Sequence, residues 1–376
     1  MSDQRVVETA KSLIRFDTSS NQEQACAKWV VDYLEDIGAE AELQVVAPDR
    51  ANAIGKLGKG KGPGLVLSGH IDTVVPGDAT LWKVTQPFDP IVKDGSLYGR
   101  GACDMKGPCA AFMEAARQLS KENLKRQLTL VFTSGEDSGG WFVKNVLSEG
   151  KVTKGDARFG IIPEPSMMEI VRCHKGSAGA KVKIIGHAAH SSTPHLGVNA
   201  IQKSADFLVE LRRLQRTLNR SPHPILGPTT VECTLITGGL KGNIIPDQCT
   251  LSMNNRLIPR HRKPDTTKRW MEAIIKRLSD RDPQFKAEIL SVTGGRPLDV
   301  PESSEVVQLL KTILKKEPIG APYFTEAVDY TANGIPTVIC GPGSIDQAHQ
   351  PDEYISIKQL ELGVKTFKEA IRRACL

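Results

Sequence analysis

Apolar residues in this chain fall into two textures. From Val6 to Phe16 they recur at positions 6, 7, 10, 13, 14 and 16, and from Gln22 to Ile37 at Ala25, Trp29, Val30, Tyr33, Leu34 and Ile37. Both are stripes at helical spacing, and Gly38 suits the end of the second helix. Short apolar runs then predict buried strands at Leu43–Val46, Asn52–Lys56, Leu65–Leu67, Gln127–Phe132 and Phe159–Ile162, with a helix over Pro108–Leu119. From Ala178 the texture changes. An alternating strand at Lys181–Ile185 precedes a long amphipathic helix, Asn199–Leu218, then strands Thr229–Ile236 and Asp247–Leu257, a helix Thr266–Leu278 and a strand Phe285–Val292. That βαββαβ order is a ferredoxin-like split unit. The first texture resumes with a helix at Ser304–Lys315, a strand at Thr337–Cys340 and a closing helix at Ile357–Arg373.

The pattern predicts an α/β catalytic domain with a mixed sheet, built from residues 1–177 and 293–376 and interrupted by an inserted domain at 178–292. A length of 376 residues, beyond what one core usually holds, agrees with two domains. The edge strand and long helix of the insert are natural surfaces for a homodimer. Between the second and third predicted strands, Gly55–Gly64 reads Gly-Lys-Leu-Gly-Lys-Gly-Lys-Gly-Pro-Gly. A phosphate cradle needs Gly-Lys-Ser/Thr opening a helix, whereas this run leads into a strand and reads as a basic hairpin turn.

Composition changes the picture little. Forty per cent apolar and 24% charged residues describe an ordinary soluble protein. No run approaches 18 apolar residues and none follows Met1–Arg5 as a secretory signal would, so neither membrane nor export is expected. The eight cysteines are scattered without a Cys-x-x-Cys pair, the usage expected of reduced thiols in a cytoplasmic protein. The net charge is +6, but aromatics make up only 5% and do not interleave with the basic residues, which argues against nucleic acid.

The informative residues lie where strands end. His70 and Asp72 follow Leu65–Leu67, Asp104 precedes the helix at Pro108 and also suits its N-cap, Glu136 and Asp137 follow Phe132, and Glu164 sits between two prolines after Ile162. Ligands of open α/β sheets gather at the carboxyl ends of strands. His349 adds a second imidazole in a Gly- and Pro-rich loop after Cys340. Two histidines and three or four carboxylates without sulfur suit two borderline divalent ions, zinc first, with cobalt or manganese as substitutes. Such a pair needs a bridging carboxylate and an acid to carry a proton, for which Glu136 is the candidate.

The segments Gly69-His70-Ile71-Asp72-Thr73, Gly99–Gly107, Ser134-Gly135-Glu136-Asp137, Pro163-Glu164-Pro165-Ser166 and His349 resemble the dizinc amidohydrolase and peptidase family of acetylornithine deacetylases, succinyl-diaminopimelate desuccinylases, glutamate carboxypeptidases and aminoacylases. The resemblance implies a zinc-exopeptidase-like catalytic domain with an inserted dimerisation and lid domain. It implies that Asp104 bridges two metals, with His70 and Glu164 on one and Asp137 and His349 on the other. Asp72 then stands behind His70, and Glu136 is general base and acid. In the insert, His190 looks like the family's residue that reaches the partner subunit's site to stabilise an oxyanion, and Asn243 and Arg256 look like its substrate-binding positions. Thr325-Glu326-Ala327 and Gly341–Tyr354 look most like the acetylornithine deacetylases, and Glu326 would suit the amine of a cationic substrate. The expected activity is therefore metal-dependent hydrolysis of a small N-acylated amino acid, N2-acetylornithine first. A desuccinylase, aminoacylase or carboxypeptidase is the alternative on the same scaffold, and a non-catalytic metal-binding relative the second. Two departures stand out: the family normally has Glu-Glu where this chain has Glu136-Asp137, and Gly where Ala189 stands. Aspartate is one methylene shorter, so the second metal must move or its loop must reach further.

Overall fold

The computed structural model describes residues 2–58, 60 and 62–376. Two compact units emerge: Met1–Arg172 with Val300–Ile319 and Thr325–Leu376, and Cys173–Asp299 with Gly320–Phe324. The first opens with α1 (Ser2–Ile14), α2 (Gln24–Asp36), β1 (Glu40–Ala47), β2 (Arg50–Leu57) and β3 (Gly64–His70). After these come β4 (Ile91–Lys93), β5 (Ser96–Tyr98), α3 (Lys106–Leu119), β6 (Leu128–Thr133), α4 (Val143–Ser148) and β7 (Ala157–Pro165). Through β8 (Val171–His174) the chain enters the second unit, made of β9 (Gly176–Ile185), β10 (Ala189–His190), α5 (Ala200–Leu218), β11 (Thr230–Gly238), β12 (Ile244–Ile245), β13 (Gln248–Leu257), α6 (Thr266–Arg281), β14 (Lys286–Gly294) and β15 (Leu298–Asp299). It returns with α7 (Glu305–Leu314), passes again into the second unit within β16 (Ile319–Ala321), and finishes in the first with α8 (Ala327–Ala332), β17 (Thr337–Gly341), β18 (Tyr354–Ser356) and α9 (Ile357–Cys375).

In the first unit the sheet runs β1-β2-β6-β3-β7-β17. β6, β3, β7 and β17 are parallel, while β2 pairs antiparallel with β6 and β1 with β2. β3 and β6 are buried along their whole length, as befits parallel strands covered on both faces. α3 packs against α1, α9 and the sheet, and 12 of its 14 residues are buried, which suits its Ala-rich sequence. Because the four parallel strands point the same way, their carboxyl ends share one edge. His70 is the last residue of β3 and is in register with Thr133, the last of β6.

Two expectations are corrected here. Gly55–Gly64 does not make a hairpin: β2 and β3 lie on opposite sides of β6, so the described part of the connection crosses over that strand. Of that run, Lys59 and Lys61 lie outside the described residues. Nor does Asp104 cap α3; the N-cap is Met105, without a side-chain cap bond, and the Asp104 carboxylate turns towards two histidines.

The second unit has a four-stranded antiparallel sheet in the order β11-β13-β9-β14, with α5 and α6 packed on it. The strict alternation along β9 and β13 puts Val182, Ile184, Leu251 and Met253 into a core with Phe207, Leu211, Met271 and Ile274. β11 is an edge strand whose outer half is exposed, with Leu235 60% and Ile236 51% accessible.

Candidate active site

The parallel strands deliver their acids and His70 to one place. His70 Nε2 lies 3.2 Å from Asp104 Oδ1 and 3.7 Å from Glu164 Oε1. His349 Nε2 lies 3.3 Å from Asp104 Oδ2 and 3.2 Å from Asp137 Oδ1. Two triads of potential metal ligands result, His70–Asp104–Glu164 and Asp104–Asp137–His349, with donor atoms in each within 4.8 Å of one another. Asp104 belongs to both. Glu136 enters the same cluster through a third grouping with His70 and Asp137. The shorter Asp137 side chain thus still reaches the group with His349.

A rigid turn presents Glu136 and Asp137. Gly135 has φ +83°, and a Cβ there would lie 2.7 Å from Gly139 O and 2.9 Å from the Phe142 ring, so only glycine fits. Beyond it, the fully buried Asp72 carboxylate accepts the backbone N–H groups of Glu136 (3.2 Å), Asp137 (2.9 Å) and Ser138 (2.7 Å), and the Ser138 hydroxyl (2.9 Å). Charge-assisted bonds of this kind contribute about 1.5–3 kcal/mol each. Resemblance set the Asp72 carboxylate behind His70. The structure instead puts the Asp72 main-chain oxygen there, 2.9 Å from His70 Nδ1, with the nearer carboxylate oxygen at 3.7 Å. A backbone carbonyl orients a ligating imidazole as well as a carboxylate does. The carboxylate is left to hold the loop.

Sequence reading missed the other half of that clamp. Arg50 forms a bidentate pair with the buried Glu23 and donates to Ser138 Oγ (2.6 Å) and Gly139 O (2.6 Å). These residues lie far apart along the chain and bond to main chain or a serine, so no spacing pattern marks them.

The electrostatics are those of crowded carboxylates. Burial favours the uncharged form of His70, but Asp104, Glu164, Asp137 and Asp72 around it prevail and raise its pKa well above 6.5. His349, held by Asp104 and Asp137, is raised to about 10. Burial pushes Glu136 and Glu164 well above 4.5, and the neighbouring carboxylates add to the rise. Against the opposing effect of burial, the two histidines lower Asp104. The cluster calls for positive charge: Asp137 Oδ2 is buried with no hydrogen-bond partner, and Asp104 Oδ1 has only the His70 imidazole, 3.2 Å away and poorly aligned for a hydrogen bond. Buried polar atoms are rarely left so. A divalent cation supplies what both oxygens lack, and a mixed imidazole–carboxylate donor set fits such an ion.

Residues 66–373 match the sequence model of peptidase family M20/M25/M40. The chain belongs to this family. It is 34% identical to the acetylornithine deacetylase of Myxococcus xanthus over 98% of this chain and 97% of that one. Among solved structures it is similar to an aminopeptidase from Bacillus cereus, with a TM-score of 0.80 at 21% identity, covering 98% of this chain and 99% of that one. It is also similar to a dinuclear metal-binding peptidase of the M20 family from Bacillus subtilis, with a TM-score of 0.71 at 17% identity over 99% and 98% of the two chains. As a member of the M20 family the chain is a hydrolase, with acidic and histidine groups placed to hold metal.

The remaining candidates belong to neither triad. Glu326, just before α8, is 2% exposed and accepts a 2.7 Å bond from Thr133 at the end of β6. Its Oε1 has no partner, and burial raises its pKa to about 8. His190, Asn243 and Arg256 belong to the second unit. His190 is exposed, its Nδ1 2.7 Å from Ser192 Oγ, and the Asn243 carbonyl accepts from Ser191 N. Arg256 is half-buried in β13, opposite Ser177 of β9.

Proposed function

We propose that this chain removes the acyl group from an N-acylated amino acid, with N2-acetylornithine as the leading substrate. The observation that carries the reading is the pair of ligand triads sharing Asp104, with the Glu136 carboxyl beside them. The relatedness to acetylornithine deacetylases at 30–34% identity over nearly the whole chain supports the substrate.

His70, Asp104 and Glu164 would hold one divalent cation, and Asp104, Asp137 and His349 the other; zinc is the first expectation, cobalt or manganese the substitutes. When bound, such a pair polarises an amide carbonyl and acidifies a water molecule. Glu136 would take a proton from the water whose oxygen adds to the acyl carbon, and pass it to the amine nitrogen as the C–N bond breaks. Burial first, and then its neighbours Glu164, Asp137 and Glu326, raise its affinity for the proton, which suits a group that must hold and then release one. Asp72 and the Arg50–Glu23 pair fix the turn that carries Glu136. The unpartnered Glu326 Oε1 is suited to a side-chain ammonium, and pairing with one would draw its pKa down from about 8. Binding of the oxyanion by His190, and of substrate by Asn243 and Arg256, is proposed on family resemblance.

The test is a panel of N-acetyl and N-succinyl amino acids assayed for free amine with added zinc or cobalt, run on the parent and on Glu326→Gln. N2-acetylornithine is expected to be turned over best, and Glu326→Gln to weaken basic substrates more than neutral ones. No amine from any member discards the enzyme reading. Preference for N-succinyl substrates or for neutral side chains moves the assignment to a desuccinylase or aminoacylase. An equal loss on basic and neutral substrates removes the role of Glu326.

We further infer a homodimer through β11 and α5, where Leu235, Ile236 and Val209 are exposed next to an open strand edge. Sedimentation should give a dimer at assay concentration. A fully active monomer would remove both the dimer and the part given to His190 from a partner. All eight cysteines are thiols, which supports a cytoplasmic, reducing setting. No helix among the described residues is long and apolar enough to cross a membrane.

A further inference from the structure

We infer that Glu353 is a positioning residue that locks the Asp104 loop to the segment carrying His349, and so sets the geometry of one metal position in particular. The inference rests on the reading of Asp104 and His349 as ligands.

Glu353 is fully buried, and both its carboxylate oxygens are engaged. Oε1 accepts the backbone N–H groups of Cys103 (2.8 Å) and Asp104 (2.9 Å). Oε2 accepts that of Gly101 (3.0 Å) and a 2.7 Å bond from the guanidinium of Arg100. The Glu353 main-chain oxygen takes the N–H of Gly99 at 3.0 Å. One residue therefore gathers most of the donors of Gly99–Asp104, a loop that curls through φ +87° at Gly101 to bring them together. Arg100 is itself 1% exposed and lies over the Trp82 ring, 5.1 Å from its centre, so the pair is walled off from water. Just past Glu353, β18 pairs with β5, in register at Tyr354–Tyr98, so the two segments run side by side up to the loop.

His349 lies four residues before Glu353, and Asp104 is the last residue of the clamped loop. Two of the three donors in Asp104–Asp137–His349 thus come from segments joined by Glu353, against one of three in His70–Asp104–Glu164. Holding the Asp104 main chain fixes where its carboxylate can go, and holding it from the His349 segment fixes the distance between the two ligands. Surface pairs elsewhere bridge side chains. This one grips backbone N–H groups, the arrangement that sets a loop rather than merely neutralising a charge. Partners that orient metal ligands in this way typically change metal affinity about 10–100-fold when altered.

The experiment compares the parent with Glu353→Gln, which keeps the shape but replaces two acceptors by one acceptor and one donor, and with Glu353→Asp, which keeps the charge but falls one methylene short. Zinc is titrated into each chelator-treated protein by calorimetry, and the melting temperature of each metal-free protein is recorded alongside. The expected result is two zinc equivalents for the parent, with one equivalent weakened about 10–100-fold in the variants and the other clearly less. Affinities within about threefold of the parent for both equivalents, or an equal loss of both, overturn the inference even if the melting temperature falls. Amide hydrogen exchange on the parent itself decides the matter should neither variant fold. If the clamp precedes metal, the amides of Gly101, Cys103 and Asp104 are protected in the metal-free protein. Protection that appears only with zinc overturns it. A parent that binds no zinc instead refutes the ligand reading, and the same exchange data still report whether Glu353 orders the loop.

Discussion

Replacing Glu136 by glutamine is expected to lower kcat for N2-acetylornithine by about 10²–10⁴-fold, the span associated with a positioned acid–base group. Metal content should stay at the parent value, because neither ligand triad sharing Asp104 includes Glu136. The fall should appear equally in kcat and kcat/KM, since the proton moves only on the way to the transition state. The Glu136→Gln change keeps the length of the side chain, so the backbone N–H at this position could still donate to Asp72 and the turn would remain closed. Single-turnover kinetics and metal analysis on the same sample provide the check. A variant that keeps more than about a tenth of the parent rate would show that another group carries the proton. One that loses metal would show that Glu136 is a ligand, as its grouping with His70 and Asp137 permits.

Removing metal with a chelator should abolish turnover and also make stability fall as pH rises. The sign follows from the cluster. His349 moves from 6.5 to about 10 in the folded chain, and Glu326 from 4.5 to about 8; His70, Glu136 and Glu164 also move up. A group whose folded pKa is raised contributes its stability in full below the unfolded value and loses it as pH climbs through the folded one. The carboxyl groups act from about 4.5 upwards and the histidines from 6.5 to about 10, so both sets work in the same direction. Buried His174, lowered to about 4, works the other way up to 6.5, so the metal-free protein should melt at progressively lower temperature from about pH 6.5 to about pH 9. Zinc should reverse this: each site at a hundredfold excess over its Kd contributes about 2.7 kcal/mol. Loading near pH 7 should also release protons from the two imidazoles, seen as a binding enthalpy that changes with the ionisation enthalpy of the buffer. A melting temperature independent of pH in the chelated protein would contradict the crowding of charge inferred at this site.

The distribution of the two textures along the sequence was enough to separate the chain into elements of the right type. Buried strands such as Leu128–Thr133 declare themselves because both faces are covered and four of the six residues are apolar. The alternation in Gly176–Ile185 and Gln248–Leu257 marks strands covered on one face. Short elements escaped: β4, α4 and α8 span three to six residues, too few for a period to show. The misread hairpin at Gly55–Gly64 has a different cause. Pairing is a property of three strands at once, and the insertion of β6 between β2 and β3 leaves no trace in the turn between them.

For the site, the chain itself put the candidate side chains in view: histidines and carboxylates at the ends of apolar runs are written in the order of residues, since a strand's end is a local event. Tertiary structure decided how they are grouped and what holds them. That Asp104 stands between His70 and His349, that the Asp72 carboxylate serves the Glu136 turn while its main chain serves His70, and that Glu353 grips the Asp104 loop are all matters of distance between segments remote in sequence. Hydrogen bonds to backbone N–H groups are the reason. Every residue but proline offers the same donor, so the partner of a buried carboxylate cannot be told from residue types and is settled only when the fold brings one loop against it.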